Sequence, residues 1–447
     1  MTENAHFAIN PAALRRGRIA VIGTGAAGLG AALTLCREYD VHLFEADTRP
    51  GGHCNTVVVD DPAGSLAVDT GFIVFNPVNY PTLCAAFDFL GVESQKSEMS
   101  FSVSCGDGDF EYSGRFPGGL LAQASNLLRP RFWAMLYGLR RFYNEALEDL
   151  PALEVTGETL GKYFTRRGYP ASFRDDHLAP MAAAIWSQPQ GTVEDMPAAT
   201  LVRFFEVHGL LRLANRPRWR TVTGGSREYV RRILQYVTDN GAVVRLGSPV
   251  STVTRSGMNV SVTLTGDVTE RFDGVVIAAH ADQALRMLGD PDAAESNVLG
   301  AFTYKPNRVV LHRDRALMPR RRTAWAAWNY IAPQGPDGAQ GVTYWMNRLQ
   351  NFGDAGPVFV TLNPPFEPAP ESVLASFDYS HPVFDVAGIS AQARLREIQG
   401  RRKTWFCGSY FGYGFHEDAF ASGIAAASAM GVSPPWEVTP RVARAAQ

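Results

Sequence analysis

Ile19, Ala20, Val21 and Ile22 form an unbroken apolar run, and Val275, Val276, Ile277, Ala278 and Ala279 form another. Runs with no polar residue at alternate positions belong to parallel strands covered on both faces. Residues 41–44 predict a further strand of this kind. Elsewhere the pattern alternates. Residues 56–59 and 66–68 flank a turn containing Asp61, Pro62 and Gly64, as the arms of a hairpin do. Residues 100–112 read SFSVSCGDGDFEY, and residues 260–265 with 271–273 predict another hairpin. Helical spacing runs through residues 80–90, closed by Gly91, and through 229–238. It also runs through 116–150, where Leu127, Leu128, Phe132, Met135, Leu136 and Leu139 recur. Residues 178–189, LAPMAAAIWSQP, predict a helix of small side chains with one indole, suited to a substrate cavity or to plain packing. Residues 302–365 return to strands rich in aromatics, among them Trp325, Trp328, Tyr330, Tyr344 and Trp345. A last strand at 404–406 leads through a glycine turn into a helix from Glu417.

Directly after the first strand stand Gly23, Gly25 and Gly28, a G-x-G-x-x-G spacing. Gly23 permits the tight turn, Gly25 lets a pyrophosphate approach the backbone, and Gly28 lets helix and strand pack closely. Ala26 and Ala27 open the helix, whose N–H groups and dipole favour negative charge. Glu45 ends the next strand, where a carboxylate accepts hydrogen bonds from ribose hydroxyls and repels a 2′-phosphate. This predicts a dinucleotide on a Rossmann-type α/β unit.

The 447 residues exceed one ordinary core and predict two or three domains, or one large two-lobed one. With 46% hydrophobic and 19% charged residues the composition is globular, and a net charge of −2 carries no nucleic-acid signature. Five cysteines without a C-x-x-C read as reduced thiols of a cytoplasmic protein. His53-Cys54 lacks a second ligand pair, so no metal is expected. No apolar run reaches the length of a membrane span and no signal peptide is visible. The first 16 residues and the tail after Pro434 are expected to be loosely held. Residues 126–143 place Arg129, Arg131, Arg140 and Arg141 among Trp133, Tyr137, Phe142 and Tyr143, and residues 203–220, RFFEVHGLLRLANRPRWR, repeat the mixture. Such a mixture suits the headgroup level of a membrane, or a core helix with a solvated arginine face. The expected location is the cytoplasm, with peripheral contact at the inner face of the cell membrane.

Past Glu45, the stretch ADTRPGGH resembles the R-x-G-G segment of the flavin amine oxidase and carotenoid desaturase superfamily, with a proline between Arg49 and Gly51. The Asp69-Thr70-Gly71 segment, the glycine pair Gly224-Gly225, and the closing strand, turn and helix follow the superfamily in order. The resemblance implies FAD as cofactor. It implies Ala46, Gly51, Gly52 and His53 beside the pyrophosphate, Gly71 and Phe72 near the flavin ring, and the backbone of Val250 at the adenine. Gly408 and Ser409 would meet the pyrophosphate again, and the helix opening with Glu417, Asp418 and Ala419 would point at flavin N1–C2=O. The implied architecture is an FAD-binding domain of residues 17–82, 216–295 and 396–434. It is interleaved with an α+β substrate domain of residues 83–215 and 296–395, helical at 116–215.

DTGFIVFNPVNYPTL, SEMSFSVS, APMAAAIWSQP, RPRWRTVTGGSREYV and LHRDRALMPRRRTAWAAWNY recur together in a narrower group, which the chain resembles over residues 18–431. It comprises bacterial FAD proteins often encoded beside cyclopropane fatty-acid synthases, and the N-terminal flavin domain of plant cyclopropane synthases. The resemblance implies a fatty acyl lipid substrate. It implies desaturation of a monounsaturated, phospholipid-linked acyl group to a diene, by hydride transfer to flavin N5. It also implies a methyltransferase of the cyclopropane synthase type as functional partner. An amine oxidase and a non-catalytic flavoprotein partner of that synthase are the alternatives. His312, Tyr413 and His416 are the candidate proton acceptors, with Tyr410 beside them, while His312 and His381 also read as structural histidines. Lys305, in a YKPNR context, stands near where many flavin amine oxidases carry a lysine bound through water to N5.

Overall fold

A computed structural model describes residues 16–437 apart from 116–117, 187–189, 212–216, 258 and 336–337. Residues 1–15 and 438–447, most of the two ends expected to be loose, lie outside the described residues, as do the last three of LAPMAAAIWSQP.

Five parallel strands form the first sheet, in the order Thr404–Phe406, Gly274–Ile277, Arg18–Ile22, Asp40–Phe44, Val243–Arg245. The register pairs Ile19 with Gly274 and Arg18 with Asp40. The unbroken apolar runs follow from covering on both faces. Ile19, Val21, Val41, Leu43 and Val276 pack with the helix Ala26–Leu35. Ala20, Ile22, Phe44, Val275 and Ile277 pack with Val253, Val260 and Phe272 of a three-stranded antiparallel sheet.

The helix Ala26–Leu35 crosses the closing helix, His416–Ala429, backbone against backbone. A Cβ on Gly423 would stand 2.0 Å from the Ala27 carbonyl oxygen, and one on Gly30 would stand 2.5 Å from that of Phe420. Only glycine permits the approach. Both helices start at the carboxyl ends of the parallel strands, so two helix N-termini converge there.

The second sheet has seven strands, in the order Val373–Pro382, Tyr304–His312, Phe359–Leu362, Gly341–Trp345, Trp328–Ala332, Phe101–Cys105, Phe110–Ser113. All neighbours are antiparallel except Trp328–Ala332 with Phe101–Cys105. A helical layer lies beside it, with a core of Phe142, Tyr163, Phe173, Trp186, Phe204 and Phe205.

The helix expected at 116–150 is shorter at its start and longer at its end. It spans Pro130–Thr156, after a short 3-10 turn at Ala124–Leu128. Pro130 is the reason: its ring favours a first turn, and it holds Arg129 extended at φ −98°, ψ 114°, while a second proline, Pro151, lies inside the helix. Gly157, at φ +62°, ends the helix. Of the second arginine and aromatic cluster, residues 212–216 lie outside the described residues. The helix Ala198–Val207 turns Phe204 and Phe205 into the core, and Arg203 pairs with Glu154 and Glu206. Arg220 is tied to Ser94 within a strand pair.

Candidate cofactor and active site

Two glycine loops face each other at the carboxyl ends of the parallel strands. Gly23 takes φ +101°, and its N–H bonds the Phe44 carbonyl at 2.7 Å. A Cβ on Gly28 would stand 1.9 Å from the Gly23 carbonyl oxygen, so helix and turn close only with glycine there. On Gly25 a Cβ would meet nothing within 4 Å. From the second loop Gly52, at φ +56°, lies over Gly25, its Cβ position 3.2 Å from the Gly25 Cα. The Thr24 hydroxyl joins the loops: it donates to Glu45 Oε2 at 2.5 Å and accepts the Gly51 N–H at 3.2 Å. Glu45 also accepts the N–H groups of Thr24 and Asp47. Oε1, which among the described residues accepts only the Asp47 N–H, keeps lone-pair capacity for a ribose hydroxyl. Ala46 is exposed beside it, and the Ser248 N–H bonds the Glu45 carbonyl at 2.7 Å, which brings Val250 to the same edge.

Gly71 is pinned to the second loop. A Cβ there would stand 2.2 Å from the His53 carbonyl oxygen, which accepts the Phe72 N–H at 3.0 Å. Asp69 is buried behind this contact. It accepts from the Ser226 N–H and hydroxyl, from the Thr56 hydroxyl, and from Gln350 of the second sheet's side. At the closing strand Gly408 is buried where a Cβ would strike the Tyr410 ring, and Ser409 begins a tight turn.

The carboxylates at the head of the closing helix accept from backbone N–H groups. Glu417 accepts the N–H groups of Thr82 and Leu83 at 2.8 and 3.0 Å, and so caps the helix Pro81–Leu90. Asp418 accepts those of Tyr413 and Phe415, both at 2.9 Å. The first-turn N–H groups, which have no acceptor within the helix, are what this end presents. Ala419 is buried in the first sheet's core.

Four histidines from four separate elements meet at this end. His53 comes from the second glycine loop, His280 from just past the strand Gly274–Ile277, His381 from the strand Val373–Pro382, and His416 from the head of the closing helix. The His53 ring lies 5.4 Å from His381, 6.3 Å from His280 and 4.8 Å from Tyr379, centroid to centroid. His280 stacks on Tyr304 at 4.3 Å. His416 packs on Phe72 at 4.2 Å, with its Nε2 3.4 Å from Cys54 Sγ. All four are half-buried, as side chains lining a cleft are. Burial, and then neighbouring histidines, hold His53 well below the ordinary imidazole value, His381 at about 4 and His416 at about 3. Burial lowers His280 as well. The imidazoles are therefore neutral at pH 7. Among the described residues no group of three histidines, cysteines or carboxylates is placed to hold a metal ion.

His312 is not brought to this cluster. It pairs with Phe359 at the far end of its strand, seven residues or roughly 23 Å from the position opposite His381. Its ring bonds the Thr361 hydroxyl at 2.7 Å and the Asp314 N–H at 3.1 Å. Tyr413 packs on Phe204 in the helical layer, and Tyr410 is buried against Phe302. Lys305 stands directly opposite His381 in the strand register, and its side chain is exposed. His280 and Tyr379 were not singled out from the sequence. His280 carried one signal: it follows a buried parallel strand, on whose carboxyl side such sheets bind ligands. Tyr379 and His381 come into place only through strand register.

These residues fit FAD. The open face of Gly25, the left-handed loop of Gly51 and Gly52, and a buried His53 Nε2 without a hydrogen-bond partner among the described residues leave polar capacity for a pyrophosphate. Bound there, FAD supplies a hydride acceptor.

Residues 26–322 match the family of flavin containing amine oxidoreductases. The PreT subunit of NAD-dependent dihydropyrimidine dehydrogenase from Salmonella typhimurium is 33% identical over 106 residues, 22% of this chain and 26% of that relative. The match thus spans about a quarter of that protein's length. A CLA-producing fatty acid isomerase from P. acnes superposes with a TM-score of 0.66 at 14% identity, over 93% of this chain and 98% of its own. Putrescine oxidase bound to putrescine gives a TM-score of 0.66 at 16% identity over the same shares. At these identities the likeness shows the fold. The family match covers more than half of the chain and includes the second glycine loop: the protein belongs to the flavin containing amine oxidoreductases, and FAD is its cofactor.

Proposed function

We propose that the protein oxidises fatty acyl chains, converting a monounsaturated, phospholipid-linked acyl group to a diene. Bound FAD would supply the hydride acceptor, an imidazole of the histidine cluster would take the second hydrogen as a proton, and a C=C bond would form between the two carbons. A C–H bond beside an existing double bond is the weaker one, which favours a monoene over a saturated chain.

The observation that carries this reading is the neutral lining of the cleft. His53, His280, His381 and His416 stand there with Phe72, Tyr304 and Tyr379. The carboxylates nearby are not free to pair with an ammonium group: Asp69 is taken up by Thr56, Ser226 and Gln350, and Glu417 and Asp418 by backbone N–H groups. A neutral, water-excluding site with imidazole bases suits hydride and proton removal from an alkyl chain. Proteins of this fold include a fatty acid isomerase and a putrescine oxidase, so fold alone supports either substrate class.

The test is anaerobic mixing of the FAD-loaded protein with phospholipids bearing monoenoic chains. Loss of the oxidised-flavin absorbance together with a diene product is expected. Bleaching by putrescine or another amine, with none by the lipids, would support the amine oxidase instead. No bleaching by either would leave a non-catalytic partner role.

A further inference from the structure

We propose that the start of the long helix and the turn before it form a docking surface for an anionic phospholipid bilayer. Leu121, Leu127, Leu128, Trp133 and Tyr137 are all exposed, Leu128 by 86%, Tyr137 by 60% and Trp133 by 53%. They fall within 17 consecutive residues, whereas the other exposed large apolar side chains among the described residues are spread along the chain. Scattered exposed apolar residues need no explanation, but a concentrated patch does.

The patch is built rather than frayed. The Trp133 indole N–H donates to the Leu127 carbonyl at 2.9 Å, which locks the turn onto the helix. Phe132 and Met135 anchor the opposite side in a core with Phe110, Tyr112 and Tyr330. Trp133, Tyr137 and Arg140 follow at steps of four and three and line one outer face of the helix. An indole and a phenol with leucines ahead of them and an arginine behind is the arrangement that sits at headgroup level.

Charge selects the occupant. Between Ser113 and Asn144 the chain has five arginines and no acid. Arg115, Arg129, Arg131 and Arg141 are answered by Glu98, Asp109, Asp176 and Glu145, while Arg140 is exposed in line with the aromatics. Arg140 at the edge of an apolar tip complements an anionic bilayer. The inner side of the same helix leads toward the cleft: Phe142 meets Phe205, Phe204 stacks on Phe415 at 5.1 Å, and His416 is the next residue. This inference extends the acyl-lipid reading, yet vesicle binding is measured without turnover, so either can fail alone.

The experiment is co-sedimentation of the full, FAD-loaded chain with phosphatidylcholine vesicles, with and without phosphatidylglycerol. Binding to the phosphatidylglycerol vesicles is expected. It should weaken at least tenfold in Leu128→Asp and in Trp133→Ser, and stay unchanged in Val155→Asp, an equally exposed position at the far end of the same helix. Flavin absorbance and circular dichroism confirm that each variant is folded. Brominated lipid should quench tryptophan fluorescence less in Trp133→Phe than in wild type. Absence of sedimentation overturns the proposal, as does sedimentation indifferent to Leu128→Asp. A dimer lost in Leu128→Asp, without vesicle binding, would assign the surface to a second copy and overturn it too.

Discussion

Thr24 and Glu45 share two hydrogen bonds, one from the Thr24 N–H at 2.9 Å and one from its hydroxyl at 2.5 Å, both to the same carboxylate oxygen. Because that hydroxyl also accepts the Gly51 N–H, the pair ties the first glycine loop to the second. Thr24→Val keeps the shape and removes the tie. A hydrogen bond to a charged group contributes about 1.5–3 kcal/mol, so FAD should bind roughly ten- to a hundredfold more weakly. Titration of the apoprotein, followed by flavin fluorescence, measures this. Thr24→Ser should bind like the parent.

Glu417 offers the opposite expectation. Its carboxylate caps a neighbouring helix. Glu417→Ala should lower stability by about 0.5–2 kcal/mol, the usual cost of a lost cap, and leave FAD affinity unchanged. Urea unfolding and flavin titration on the same sample separate the two roles. A large loss of affinity at unchanged stability would return Glu417 to the cofactor site.

Asp69 should shape the pH dependence of folding. Burial, the largest influence, pushes its carboxyl from 3.8 up to about 6, although Thr56 and Ser226 pull it down. The folded protein therefore holds this proton more tightly than the unfolded chain. The stability it contributes is present below about pH 4, falls as pH rises toward 6, and is constant above. At about 1.4 kcal/mol per unit, wild type should lose roughly 3 kcal/mol relative to Asp69→Asn across that window. The histidines, whose values are lowered, act in the opposite direction, but equally in both proteins. Parallel stability curves for the two, from pH 4 to 7, would refute the assignment.

Flavin reduction by substrate should persist in acid. With His416 at about 3 and His381 at about 4, these bases stay neutral at pH 5. A base at the ordinary histidine value of about 6.5 would be some thirtyfold depleted there. Stopped-flow reduction at pH 5 and 7.5 should therefore differ by less than threefold. Single His416→Asn and His381→Asn variants should each slow reduction while leaving the flavin spectrum in place.

Much of this protein was written locally. The apolar runs at 19–22 and 275–279 predicted buried parallel strands because a strand covered on both faces has no polar side to show. Gly23, Gly28 and Gly71 announced the cofactor end because close backbone contact tolerates no Cβ there, and Gly25 because it leaves its face open. Pro130 marked the true start of the long helix through its own ring, although helical spacing alone extended that helix upstream. Tertiary structure decided what depends on partners distant in the chain. Glu417 looks like a cofactor residue by position, and only folding reveals that the N–H groups of Thr82 and Leu83 occupy it. His312 and His381 were alike in sequence, yet one strand carries the first to a hydroxyl deep in the sheet while the register of two strands delivers the second to the cleft. A side chain's chemistry is set by its own atoms, but its protonation and its neighbours are set by burial and register, which no local stretch contains.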